Sequence, residues 1–202
     1  MEHSNKQADE AWQILSSKPL LKDPYISVDV QQVQLPDGRK IDGWTHVDAR
    51  DYTNVLVLNE QNEALVMTGY KHGIGRSSWQ MVGGYLEGDE DPLLGAQREL
   101  MEETGFEANN WLHLGSYTID ANRHIGVGHL FLAQKLEQVT SPNNDDLEAY
   151  EIEWIPLKVL QYGLWDGRLA GMSYALTVSL GSLALQQSKT TPPLFQSVID
   201  EK

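Results

Sequence analysis

The chain reads as an α+β fold, a mixed β-sheet sandwiched between helices with an additional N-terminal β-hairpin. Two observations predict it. Short apolar runs of strand length, bounded by Gly, Pro, Asn and Asp, recur along the chain from Ile26 to Ile155. Helical signals, in contrast, gather in two or three places, at Pro92 to Glu103, after Pro156, and from about Gly167 to Gln187. Strands and a few helices in this order fit a mixed sheet between helical layers.

The elements follow in sequence. Ile26, Val28 and Val30 alternate with polar residues, Val33 and Leu35 follow, and Leu35-Pro36-Asp37-Gly38-Arg39 supplies a turn before Ile41 to Val47, which predicts a hairpin. Asn54 to Leu58 and Ala64 to Gly69, joined through Asn59 to Glu63, predict a second hairpin. Its apolar runs call for strands covered on both faces. Trp111 to Ile119 and Gly126 to Ala133 are expected as two further strands around the polar segment Asp120 to His124. Tyr150 to Ile155 is expected as a last strand, before a short and then a longer helix.

All 202 residues are expected to form a single domain, with residues 1–10 and 188–202 loose, a hairpin at 24–48 and the core at 49–187. There are 15 basic and 29 acidic residues, and the net charge of −14 argues against stable binding to nucleic acid or to an anionic membrane. Cysteine is absent, which removes disulfides, thiol nucleophiles and cysteine-bound zinc. The six histidines show no metal-ligand spacing. The opening ten residues are too polar for the core of a secretory signal, and no apolar run approaches the roughly 20 residues that span a bilayer, so the expected location is cytoplasmic.

Gly84 to Phe106 reads Gly-x5-Glu-x7-Arg-Glu-Leu-x-Glu-Glu-x-Gly-Phe, with Gly84, Glu90, Arg98, Glu99, Leu100, Glu102, Glu103 and Gly105 in one register. Asp91 is a good N-cap, Pro92 suits the first helical position and Gly105 suits the position past the end, so a helix is expected over about Pro92 to Glu103. Leu93, Ala96 and Leu100 then form its core stripe, with Glu99 and Glu103 at i and i+4 beside it and Glu102 about 60° round from Glu99. Carboxylates about 5.5 Å apart in a cleft of effective dielectric about 20 repel by roughly 3 kcal/mol. A hard divalent cation removes that repulsion, and oxygen-only ligation suits Mg2+ or Mn2+.

This register resembles the Nudix box, and the order of elements from roughly Trp12 to Gln187 is similar to the ADP-ribose pyrophosphatase and nucleotide-sugar branch of that family. Met81-Val82-Gly83-Gly84 and Tyr70-Lys71 resemble that branch as well. The resemblance implies hydrolysis of the diphosphate in a nucleoside diphosphate linked to another moiety, with Mg2+ held by Glu99 and Glu103, assisted by Glu102 and the carbonyl of Gly83. It further implies that Arg98 pairs with Glu90 to brace the loop. A base for the attacking water is sought outside the box, and Glu148 is the choice, Glu151 second, with the box residue Glu102 as the other catalytic candidate. Arg50, Lys71, Arg76 and Arg123, beside expected strand ends, are candidate substrate contacts because guanidinium forks match phosphate. Trp79, Tyr85 and Tyr117 are candidate base-stacking residues. Two positions depart from the branch: Asp120-Ala121-Asn122-Arg123 lacks its proline turn, and Gln80 stands where a carboxylate is common. The alternatives are a nucleoside triphosphate or dinucleotide pyrophosphohydrolase and a non-catalytic nucleotide-sensing module. The branch's habit of completing a partner's site with an N-terminal hairpin, together with the widely distributed apolar residues of the last helix, predicts a homodimer.

Overall fold

The computed structural model describes residues 11–142 and 150–188, which form two compact units. The described residues up to Asp51, with Tyr117–Val127, make the first unit; Tyr52–Ser116 and the described residues from Gly128 onward make the second.

In the first unit, β1 (Gln13–Lys22), β2 (Ile26–Gln34) and β3 (Lys40–Ala49) form an antiparallel meander. The expected hairpin is β2 and β3, turned at Pro36 to Arg39, where the Gly38 N–H donates to Leu35 O at 2.9 Å and Asp37 Oδ1 accepts from the Arg39 N–H at 3.0 Å. The additional strand is β1. Its whole length is exposed and it holds Pro19, so no burial pattern marked it in the sequence. Val47 of β3 bridges His124, the first residue of β8.

The second unit holds β4 (Tyr52–Val57), β5 (Glu63–Lys71), β6 (Arg76–Gln80), α1 (Pro92–Thr104), most of β7 (Phe106–Asp120) and β8 (His124–Gln138), β9 (Tyr150–Pro156), α2 (Leu157–Asp166) and α3 (Met172–Ser188). Here the expected second hairpin is corrected. β4 and β5 meet only at the bridge Leu58–Ala64; β4 lies parallel to β8, and β5 sits between β6 and β9 in an antiparallel sheet. The short strand β6, Arg-Ser-Ser-Trp-Gln, had no apolar alternation to announce it.

The apolar runs are covered on both faces, as their composition required. Val55, Val57, Leu65, Met67, Phe131 and Ala133 pack with Ala96 and Leu100 of α1. Leu56, Leu58, Ala64, Val66 and Leu132 pack with Leu160 of α2 and Val178 of α3. Successive strand residues point to opposite faces, so each run feeds both helical layers at once and fixes α1 against one of them. Among the described residues, no helix is long and apolar enough to cross a membrane.

Candidate active site

The site is built on α1 and the loop that precedes it. Asp91 caps the helix, its Oδ1 accepting from the N–H groups of Leu93 at 2.9 Å and Leu94 at 3.3 Å, with Pro92 at the helix start. Gly105 ends it at φ +73°, and a Cβ there would lie 2.1 Å from the carbonyl oxygen of Thr140, so glycine is required on two counts.

Leu100 and Ala96 are fully buried beneath the helix, which aims the flanking carboxylates at the loop before it. Glu103 is 8% exposed, and its Oε2 accepts from the Gly83 N–H at 2.9 Å. That bond requires a close approach: Gly83 has φ +146°, and a Cβ on it would sit 2.0 Å from the Thr53 carbonyl oxygen. The neighbouring Gly84 has the same function for Glu99, whose Oε1 occupies the space 2.5 Å from where a Gly84 Cβ would be. Both carboxylates therefore converge on one dipeptide, which is anchored to β4 by hydrogen bonds from Thr53 N to Gly84 O and from Val55 N to Val82 O.

Arg98 ties the rest together. Its Nε and Nη2 grip the two oxygens of Glu90 at 3.0 Å each, Nη1 reaches Glu99 at 2.8 Å and Glu102 at 3.0 Å, and Nη2 also donates to the Tyr85 carbonyl at 3.2 Å. The Arg98 fork holds the Glu90 carboxyl below its ordinary range, helped by the Glu87 N–H and opposed by desolvation. The same bond to Glu90, followed by those to Glu99 and Glu102, raises Arg98 against its own desolvation, so the guanidinium stays charged. Three carboxylates share one guanidinium, and with Glu103 on the neighbouring Gly83 N–H the formal sum is −3 in a partly enclosed place. Glu102 is turned outward to Arg98. Among the described residues, no group of three or more His, Asp or Glu closes on a single point. What the loop and helix offer is an oxygen-only donor set with excess negative charge, the chemistry that suits a hard divalent cation.

The other candidates fall as follows. Glu148 lies outside the described residues, and Glu151 is an exposed residue of β9. Arg50 and Arg123 belong to the first unit: Arg50 donates to Pro24 O at 3.0 Å and covers the Tyr25 ring, and Arg123 donates to Thr45 O at 2.9 Å and covers Trp44. Lys71 and Arg76 belong to the second, where Arg76 donates to Gly167 O at 2.8 Å and Lys71 ends β5. Trp79 packs against the core beneath the Arg168 guanidinium, 3.9 Å from its ring centre, while Tyr85 and Tyr117 are exposed. Gln80 is buried and donates to Gly69 O at 3.3 Å within the β5–β6 pair. Thr53 was not singled out from the sequence. It is fully buried, supplies the backbone donor for Gly84 and sets the steric limit at Gly83. Its only signal was a polar pair, Thr53-Asn54, at the head of an apolar strand.

Residues 48–173 match the NUDIX domain, and residues 12–47 match the nucleoside diphosphate sugar hydrolase N-terminal domain. The chain belongs to the Nudix family and is a Nudix hydrolase. It is 30% identical over 159 residues to a CMP-5'-(N-acetyl-N-hydroxy-3-aminopropyl)phosphonate hydrolase of Streptomyces rubellomurinus, covering 78% of this chain and 76% of that one. It is 26% identical to the ADP-ribose pyrophosphatase of Mycobacterium tuberculosis over 74% of this chain and 73% of the relative. A solved structure of an ADP compounds hydrolase superposes with a TM-score of 0.76 at 17% identity, covering 89% of this chain and 97% of that one, a likeness of fold.

Proposed function

We propose that the protein is a cytoplasmic, magnesium-dependent pyrophosphohydrolase that cleaves the diphosphate of a nucleoside diphosphate linked to another moiety, a nucleotide sugar or ADP-ribose. The observation that carries this is the convergence of Glu99 and Glu103 on the Gly83–Gly84 backbone, beside a guanidinium too outnumbered to neutralise them. Glu99, Glu102, Glu103 and the Gly83 carbonyl would hold Mg2+, with Mn2+ as a substitute. When bound, the ion supplies charge neutralisation on the phosphate oxygens and acidifies water. The chain's own residues do the remainder. Arg98 and Glu90 hold the loop, buried Leu100 and Ala96 hold the helix, and Glu148 takes the proton of the attacking water. The relatives' names support the substrate class, since both act on a nucleotide whose phosphate carries a further group.

The test is turnover of a panel of ADP-ribose, nucleotide sugars, dinucleoside polyphosphates and nucleoside triphosphates with Mg2+. A nucleotide sugar or ADP-ribose is expected to give the highest kcat/KM. Preference for a triphosphate, or no turnover by folded protein, overturns the reading. Glu148→Gln is expected to lower kcat at saturating Mg2+ with little change in metal affinity, and an unchanged kcat moves the base to Glu151 or to Glu102.

A further inference from the structure

We infer that His113 and His129, with Ser116 between them, form a binding site for a borderline divalent metal ion of the Zn2+, Ni2+ or Cu2+ class, separate in chemistry from the oxygen-only box. The Ser116 Oγ lies 3.1 Å from His113 Nε2 and 2.8 Å from His129 Nδ1, so two imidazole nitrogens meet at one atom. No spacing rule would find them, because the pairing of β7 with β8 brings them together. Asn110 meets Gln134, His113 meets Phe131 and Ser116 meets His129, ascending on one strand as the other descends, which is antiparallel packing.

Residues 113 and 116 would face opposite sides of a regular strand. Gly115 between them has φ +132°, a backbone that favours glycine, and it turns the Ser116 hydroxyl back to the side of His113. The His113 ring is steadied by Phe131, with centroids 5.1 Å apart. His129 is half-buried and paired with Thr53 of β4. Two rings from facing strands, His113 exposed and His129 half-buried, thus present nitrogen to one place.

A single hydroxyl carries one proton, so it cannot donate to both imidazoles. At least one ring must direct an N–H at the oxygen. A metal ion accepts both nitrogen lone pairs, with bonds of about 2.0–2.1 Å, and leaves its remaining positions to Ser116 Oγ and water. Such an ion would also link β7 to β8.

The probe is Zn2+ alone, titrated calorimetrically in magnesium-containing buffer into a Glu99→Gln/Glu103→Gln background, so that zinc on the box carboxylates does not contribute. One equivalent is expected to bind, and His113→Gln and His129→Gln each to weaken it by about tenfold or more. Bound zinc should raise the thermal midpoint of the background protein, and less so in either variant. Ser116→Cys supplies a thiolate in a chain with no other cysteine and is expected to tighten zinc by at least about tenfold. Absence of saturable binding, affinity unchanged in both histidine variants, or no tightening in Ser116→Cys overturns the site. Circular dichroism on each variant separates loss of the site from loss of the fold.

Discussion

Glu103 is a carboxylate in a place where an ion is costly, 8% exposed and beside the buried stripe of α1, and a backbone N–H offsets part of that cost. A glutamine there can still accept from Gly83 but carries no charge. Glu103→Gln is therefore expected to lower kcat by about 100-fold or more, about 2.7 kcal/mol of barrier, with a thermal midpoint within about 4 °C of wild type. Glu99→Gln should behave alike. Steady-state kinetics and calorimetry on the same samples check both, and a comparable loss of fold and activity would mean that the carboxylates are structural. Gly83→Ala separates position from charge. Its Cβ would collide with the Thr53 carbonyl at an unfavourable φ, which should cost about 2 kcal/mol or more and lower the midpoint by about 4–8 °C.

At the scale of the element, the loop before α1 is held by a charge pair whose titration can be read in stability. Glu90 has its carboxyl lowered by the Arg98 fork, below an ordinary value of 4.5. A carboxylate with a depressed folded value contributes stability that is fully present above the unfolded value and is lost as pH falls through the folded one. The brace is thus intact at neutral pH and weakens progressively below about pH 4.5. Glu90→Gln removes that contribution, so its midpoint should be lower at pH 7 yet fall less steeply between pH 5 and 3 than that of wild type. Thermal melts across this range decide it, and parallel curves would show that the pair is not what acid breaks. The helix itself rests on Leu100 and Ala96, and neither titrates.

For the whole molecule we expect a homodimer. The edge strand β1 exposes Ile14, Leu15, Leu20 and Leu21, and Met172 and Leu183 of α3 are exposed as well, more apolar surface than isolated side chains require. Analytical ultracentrifugation at micromolar concentration should give twice the chain mass of 22.7 kDa, and a single-chain mass would overturn the dimer. Deleting residues 11–22 should then shift the equilibrium toward the single chain without abolishing the second unit's fold.

What the residues determined by themselves was local. Asp91, Pro92 and Gly105 set the ends of α1, and helical spacing set Glu99 and Glu103 one turn apart, because caps and i,i+4 neighbours depend on only a few adjacent residues. The two-faced apolar runs likewise declared strands covered on both sides. Partner choice was not legible. A run that is apolar on both faces fits any apolar neighbour, so β4 and β5, joined by a tight Asn59 turn, looked like a hairpin although β4 pairs with β8. Long-range packing decides such pairings. The edge strand β1, exposed throughout, and the polar β6 left no burial pattern to read. Tertiary structure alone brought Thr53 against Gly83 and set His129 of β8 beside Ser116 of β7, since each of these contacts joins segments that only the packed core holds together.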